Sequence, residues 1–390
     1  MKDMKEQHMP EVHLIAGTRP EAIKLAPVVI AMRAAKRVTP VLVASGQHPA
    51  MVAQALAAFD LEPDVTLPLE RRTGSQSELM TALIEQLDTL FAERKPSAVI
   101  VQGDTTTTLA GALAAFWRQI PVVHLEAGLR SGDLDSPFPE EGNRRLVGQI
   151  ASLHLAPTSL AATNLLDEGI EPERVILTGN TVVDAALTVV GRRPELPREL
   201  QTEGRMILVT AHRRESWGEP LDRVLSAVRT LLNHYPDLNV VLPSHPNPKV
   251  REQVEAGLKG EARVVITDPL PYPTLARLLS EAYLVLTDSG GIQEEAPSFG
   301  VPALVLREVT ERVESLAAGC ARLVGTNPST IVAEAMRLLD DPTARAAMTA
   351  NGNPYGDGKA AVRTEEAVAD LLGVATPRRP VLTLVPSVGA

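Results

Sequence analysis

VHLIAGTRPEAIKLAP, residues 12–27, carries the reading that decides the fold. Val12 to Ala16 is a short, mostly apolar run suited to a buried strand. Gly17 ends it, and Pro20 sits well at a first helical position, where its missing N–H leaves nothing further unsatisfied. The residues that follow are rich in Ala and Leu at helical spacing. A buried strand turning into a helix is half of a βαβ unit.

The unit recurs along the chain. Further strands are expected at 41–44, 98–101, 122–125, 153–156 and 175–177, and then, after a break, at 207–210, 240–243, 264–267, 284–287, 303–306 and 321–324. Strands alternating with helical segments predict α/β architecture with parallel sheets covered on both faces. Two series in succession predict two doubly wound, Rossmann-like domains with strand C-termini lining one interdomain cleft. Gly179 and the Pro- and charge-rich connection from Gly191 to Arg205 put the seam near residue 180. We therefore expect one domain over 1–180, a second over 181–365, and a C-terminal helix in 366–390 that packs back on the first, followed by a loosely ordered, Pro-punctuated tail.

Composition narrows the function. The 390 residues are 44% hydrophobic but only 3% aromatic, so Val, Leu, Ile and Ala build the core and stacking platforms for bases are scarce. A formal charge of -10 argues against nucleic acid, whose backbone needs clustered cations across a broad face. A cleft in an acidic protein can still focus positive potential on a small anion. With the single cysteine Cys320 no intramolecular disulfide forms, which suits a reducing cytoplasm. No secretory leader and no membrane span are expected from the apolar runs.

The polar residues gather after the strands. Arg19 and Lys24 are placed to point at a helix entrance. Asp104 follows the strand at 98–101 and reads as a helix N-cap, with four threonines, Thr105 to Thr108, offering hydroxyls to a sugar or phosphate. Glu126 lies just past the strand at 122–125, and Glu140 and Glu141 enter the next helix. Asp104, Glu126 and Glu140 at close range are expected to raise one another's pKa and divide acid and base roles. In the second half His212, Arg213 and Arg214 follow one strand and His245 the next, an arrangement suited to an anion. Arg307 and Arg312 follow the strand at 303–306, where a guanidinium either makes bidentate contacts to phosphate or stays solvated.

TDSGGIQEE, 287–295, lets backbone N–H groups and Ser289 approach a diphosphate closely through Gly290 and Gly291, while Glu295 lies far enough along to accept from ribose hydroxyls. DSGG lacks the GxSxG setting of a serine nucleophile. No GxGxxG fingerprint supports a redox dinucleotide, and no His spacing supports zinc, so neither cofactor nor metal is expected.

Taken together, GTRPEAIKLAP (17–27), GDTTTT (103–108), HLEAGLRSGDLDSPFPEEGNRR (124–145), AHRRES (211–216), TDSGGIQEEAPSFGVPALVLREVTER (287–312) and NPYGDG (353–358) resemble, in order, the motifs of the non-hydrolysing UDP-N-acetylglucosamine 2-epimerases. The resemblance implies the glycosyltransferase B arrangement of two Rossmann-like domains, UDP-sugar between them, a homodimer, and no metal or redox cofactor. It gives Asp104, Glu126, Glu140 and His212 catalytic positions. Arg19, Lys24, Arg213, Ser289, Gly290, Gly291, Glu295 and Arg312 become UDP-sugar contacts. The implied chemistry is elimination of UDP to a 2-acetamidoglucal and re-addition with protonation of C2 from the other face. Gln47, Arg213 and His245 match a region where some relatives bind a second UDP-N-acetylglucosamine as activator, although QHP (47–49) stands where bacterial members commonly read QHR, and Leu275 replaces a common aromatic. A UDP-sugar glycosyltransferase of the same fold shares the nucleotide cradle but needs an acceptor; a hydrolysing epimerase would release free N-acetylmannosamine.

Overall fold

The computed structural model describes residues 9–375. Among these residues thirteen parallel strands form two sheets. The first contains β1 (Glu11–Ala16), β2 (Thr39–Ala44), β3 (Val65–Thr66), β4 (Ala98–Gln102), β5 (Val122–Leu125), β6 (Leu153–Ala156) and β7 (Val175–Leu177), in the order β3-β2-β1-β4-β5-β6-β7. The second contains β8 (Arg205–Thr210), β9 (Leu238–Pro243), β10 (Val264–Thr267), β11 (Leu284–Thr287), β12 (Ala303–Val305) and β13 (Ala321–Leu323), in the order β10-β9-β8-β11-β12-β13. Twelve of these strands lie where the apolar runs predict them. The thirteenth, β3, is a two-residue edge strand too short to leave a periodic signal.

Both faces of each sheet are buried, because helices cover them alternately. Along β1, Leu14 joins the core beneath the helix Arg19–Ala35, whereas its neighbour Ile15 joins the core beneath the helices Gln76–Arg94 and Thr106–Trp117. The second sheet divides its apolar side chains in the same way. Each sheet therefore has a point where strand order reverses, between β1 and β4 and between β8 and β11. Ligands of open α/β sheets bind outside the strand C-termini at such points.

The helix Thr181–Gly191 buries Ala185 and Val189 in the core of the first sheet, so the chain changes sheets after this helix, in the segment 192–204, and not at residue 180. The C-terminal helix runs over Ala360–Leu371, beginning ahead of the expected 366, and also packs there through Ala361, Ala367 and Val368. Two anchors hold it: the Asp184 carboxylate accepts the Ala360 and Ala361 N–H groups at 3.2 and 2.9 Å, and Glu365 pairs with Arg37. The expected tail beyond residue 375 lies outside the described residues. Among the described residues no helix is long and apolar enough to cross a membrane.

Candidate active site

The turns leaving β1, β4, β8 and β11 converge at the two reversal points. Residues from both halves line one cavity of about 370 Å³: Arg19, Ile23 and Lys24 from the first; His212, Arg213, Tyr272, Leu275, Ser289, Gly290, Gly291, Glu294, Glu295 and Arg312 from the second. Nine of the expected site residues are thus brought together.

Buried charges cross its floor. Lys24 donates to Glu126 and lies 3.6 Å from Glu294, whose other oxygen accepts from Arg312 Nε at 2.8 Å. Gln102 and Asn180 also donate to Glu126, the latter at 2.9 Å. A buried carboxylate without partners would cost several kcal/mol. Burial pushes the Glu126 carboxyl up, but the charge and hydrogen bond of Lys24 outweigh it and hold the group below its ordinary pKa. Burial likewise pushes Lys24 down, and Glu126 with Glu294 more than restores it, so both partners stay ionised. Glu126 has φ of 64°, a left-handed conformation that costs a non-glycine residue roughly 1–2 kcal/mol. These partners hold it there.

The expectation that the three acids raise one another's pKa fails at Glu126, which is held low, and the other two stand in separate surroundings. Asp104 pairs with Arg144 at 2.6 Å, and its backbone carbonyl accepts from Asn143 Nδ2. Glu140 starts the helix Glu140–Ile150, partly exposed and with no side-chain partner among the described residues. Its neighbour Glu141 is fully buried; it accepts the Ser131 N–H and binds Arg144 and Arg145, so it anchors the loop 131–139.

The threonine run differs from expectation as well. Thr105, not Asp104, caps the helix Thr106–Trp117 by accepting the Thr108 N–H. Thr106 donates to Gln76 and Thr107 to Gln47, both at 2.7 Å, while Thr105 donates to Glu21. These hydroxyls are engaged inside the protein and do not serve as a ligand cradle. A Cβ on Gly17 would stand 2.3 Å from Thr107 Oγ1, which is why glycine is needed at that turn.

In the second half, Asp288 is completely buried and accepts the His212 and Arg213 N–H groups at 2.9 Å and the Ser216 hydroxyl at 2.9 Å. It therefore sets the turn that carries His212 into the cavity. Burial pushes the His212 imidazole below its ordinary pKa against the opposing pull of Asp288, leaving it neutral at pH 7. Glu295 is held up at about 8, first by burial and then by the neighbouring Glu294 charge. The Ser289 hydroxyl makes no hydrogen bond among the described residues; its N–H donates to Thr287 Oγ1. A Cβ on Gly290 would come within 3.0 Å of the Arg312 guanidinium, so glycine there lets the cation lie against the backbone.

Arg307 is paired with Glu215 and Glu311 and stands away from the cavity. His245 lies edge-on to Trp217, with its ring 6.5 Å from that of His212, whereas Gln47 is bonded into the first half. No hydrogen bond among the described residues joins Gln47 to Arg213 or His245. Nor do the described residues contain a cluster of three or more His, Cys, Asp or Glu arranged to hold a metal. Glu294, Asn180, Gln102 and Asp288 went unassigned by sequence reasoning; Asp288 and Glu294 lie within TDSGGIQEE, but only the fold shows which turns they serve.

Comparison with known proteins agrees with this geometry. The family model described as UDP-N-acetylglucosamine 2-epimerase matches residues 30–369. A UDP-N-acetylglucosamine 2-epimerase of Yersinia pestis is 45% identical over 92% of this chain and 98% of its own. The S. aureus MnaA–UDP structure is 42% identical, with a TM-score of 0.87 over 96% of this chain and all of the other. A Neisseria meningitidis UDP-GlcNAc 2-epimerase bound to UDP-GlcNAc is 39% identical, with a TM-score of 0.84 over 92% of this chain and all of the other. With the family model spanning most of the chain and a relative 45% identical over 92% of it, the chain belongs to the UDP-N-acetylglucosamine 2-epimerase family.

Proposed function

We propose that this protein reversibly inverts C2 of UDP-N-acetylglucosamine to give UDP-N-acetylmannosamine, supplying a surface polysaccharide or specialised aminosugar pathway. One observation carries the reading. A single cavity is lined by Lys24, paired with the buried Glu126 behind it, from one half and by Ser289 and the partly buried Arg312 from the other. Such a division suits a reaction that must break a C–H bond while holding the departing group for re-addition.

In the forward step a carboxylate takes the C2 proton as the C1–O bond breaks, its electrons leaving with UDP, and the C–H electrons form the C1=C2 bond of the 2-acetamidoglucal. UDP oxygen then adds back to C1 while an acid delivers a proton to the other face of C2. Asp104, Glu126 and Glu140 supply base and acid. The buried setting of Glu126 strengthens its action, because preorganised charges in low dielectric need little rearrangement. Ser289, Gly290, Gly291 and Arg312 hold the diphosphate, Glu295 the ribose, and Arg19 and Lys24 the nucleotide-sugar. Arg213 and neutral His212 meet the charge that grows on departing UDP. Two copies associate as a homodimer; the exposed Phe116, Trp117 and Leu146 on adjoining helices of the first half suit such a contact. The one thiol suits a reducing cytoplasm.

Purified protein with UDP-N-acetylglucosamine in D2O, and no acceptor, should give UDP-N-acetylmannosamine carrying deuterium at C2. Absence of both product and label would refute the reading. Turnover that depends on an acceptor would favour a glycosyltransferase, and accumulation of free N-acetylmannosamine with UDP a hydrolysing enzyme.

A further inference from the structure

Glu21 stands third in the helix Arg19–Ala35 and closes its N-terminus, a task glutamate ordinarily performs at the surface in contact with water. Here it is 1% exposed and has no cationic partner among the described residues. Its Oε2 accepts the Gly17 N–H at 2.7 Å, the Thr18 N–H at 2.6 Å and the Thr18 hydroxyl at 3.0 Å. Its Oε1 accepts the Thr105 hydroxyl at 2.5 Å. Thr108 Oγ lies 3.1 Å from the same oxygen, with the carbonyl of Gln102 nearer, at 2.7 Å. One oxygen thus serves the turn after β1, and the other the turn after β4.

Capping the helix at its own N-terminus accounts for Oε2 but not for the burial or for Oε1. Burying a carboxylate without a counter-ion is costly, and only the donors and the two nearby helix N-termini offset it. What burial adds is the link to Thr105. The residues flanking the linked positions are Arg19, next to Thr18, and Asp104, next to Thr105. We infer that Glu21 is a positioning residue that fixes the Arg19 turn against the Asp104 turn, setting the separation of two groups that must address one substrate. The inference rests on the epimerase reading for its consequence in turnover, but not for the linkage itself.

The test uses full-length protein. Thr105→Val removes the linking hydroxyl, and Thr105→Ser keeps it. Glu21→Gln keeps one acceptor oxygen but turns an NH2 group toward donors. A loosened turn should lower kcat on the order of 100-fold in Thr105→Val and Glu21→Gln, since a misplacement near 1 Å carries about that penalty. UDP affinity should stay near wild type, and Thr105→Ser should recover turnover. Amide hydrogen exchange gives a readout independent of activity. In Thr105→Val the Gly17 and Thr18 amides should exchange faster, although they lie far from the substitution in sequence. Wild-type kcat in Thr105→Val, or faster exchange confined to 103–108, would overturn the inference. Wild-type protein without epimerase activity would defeat the functional reading alone, and the exchange result would still decide the linkage.

Discussion

At the first reversal point each buried carboxylate already has its partners: Glu126 has Lys24, and Glu21 has amides and hydroxyls, with the partly exposed Asp104 nearby on Arg144. At the second, Asp288 holds the His212 turn in a comparable way, yet the Ser289 hydroxyl keeps its bonding capacity and Glu295 is held protonated near neutrality. The same topology is thus finished in two ways. The buried carboxylates are paired on one side, while the other side leaves the Ser289 hydroxyl without a partner among the described residues. Lys24 and Asn180 bridge the two, each approaching a carboxylate from either half.

Lys24→Met attacks that bridge and should have the largest effect. It strands Glu126 and weakens the neutralisation of Glu294, and breaking a buried pair of this kind costs about 3–5 kcal/mol. Denaturant unfolding should show the loss, and a change under about 1 kcal/mol would mean the network relaxes without it. Arg312→Ala strikes the ligand side. Losing a charge-assisted contact to UDP should weaken UDP binding by roughly 1.5–3 kcal/mol in calorimetry. Unchanged affinity would place the diphosphate elsewhere.

A pH-dependent effect sharpens the contrast at Glu295. Its folded pKa of about 8 exceeds the ordinary value of 4.5, so the folded protein holds a proton there that the unfolded chain gives up. That contribution to stability is complete below about pH 4.5 and is lost as pH rises through 8. Glu295→Gln should flatten this part of the unfolding profile between pH 5 and 9, and should be the more stable protein at the alkaline end. An unaltered profile would show that Glu295 ionises normally.

Much of this organisation is legible in the chain. Strands such as Val12–Ala16 announce themselves through short, mostly apolar runs, and residues after them, Lys24, His212 and Ser289 among them, fall at the cavity because strand ends in such folds do. The rest depends on partners far apart in sequence. Nothing near Asn180 signals that it reaches Glu126 and Glu294, and Glu294 looks like a spare acid until Arg312 and Lys24 fold against it. The threonine run misleads for the same reason: its hydroxyls look available until Glu21, Gln47 and Gln76 arrive from other elements. A signal for Glu21 was present in Thr18-x-x-Glu21, the spacing of a capping box.

The division between the halves is tested most directly by Glu126→Gln, measuring C2 deuterium exchange into UDP-N-acetylglucosamine and UDP affinity on the same preparation. The account predicts exchange slowed about 10²–10⁴-fold, the usual contribution of an acid–base group, with UDP affinity close to wild type. Exchange at the wild-type rate, or a loss of UDP binding as large as the loss of exchange, would contradict it.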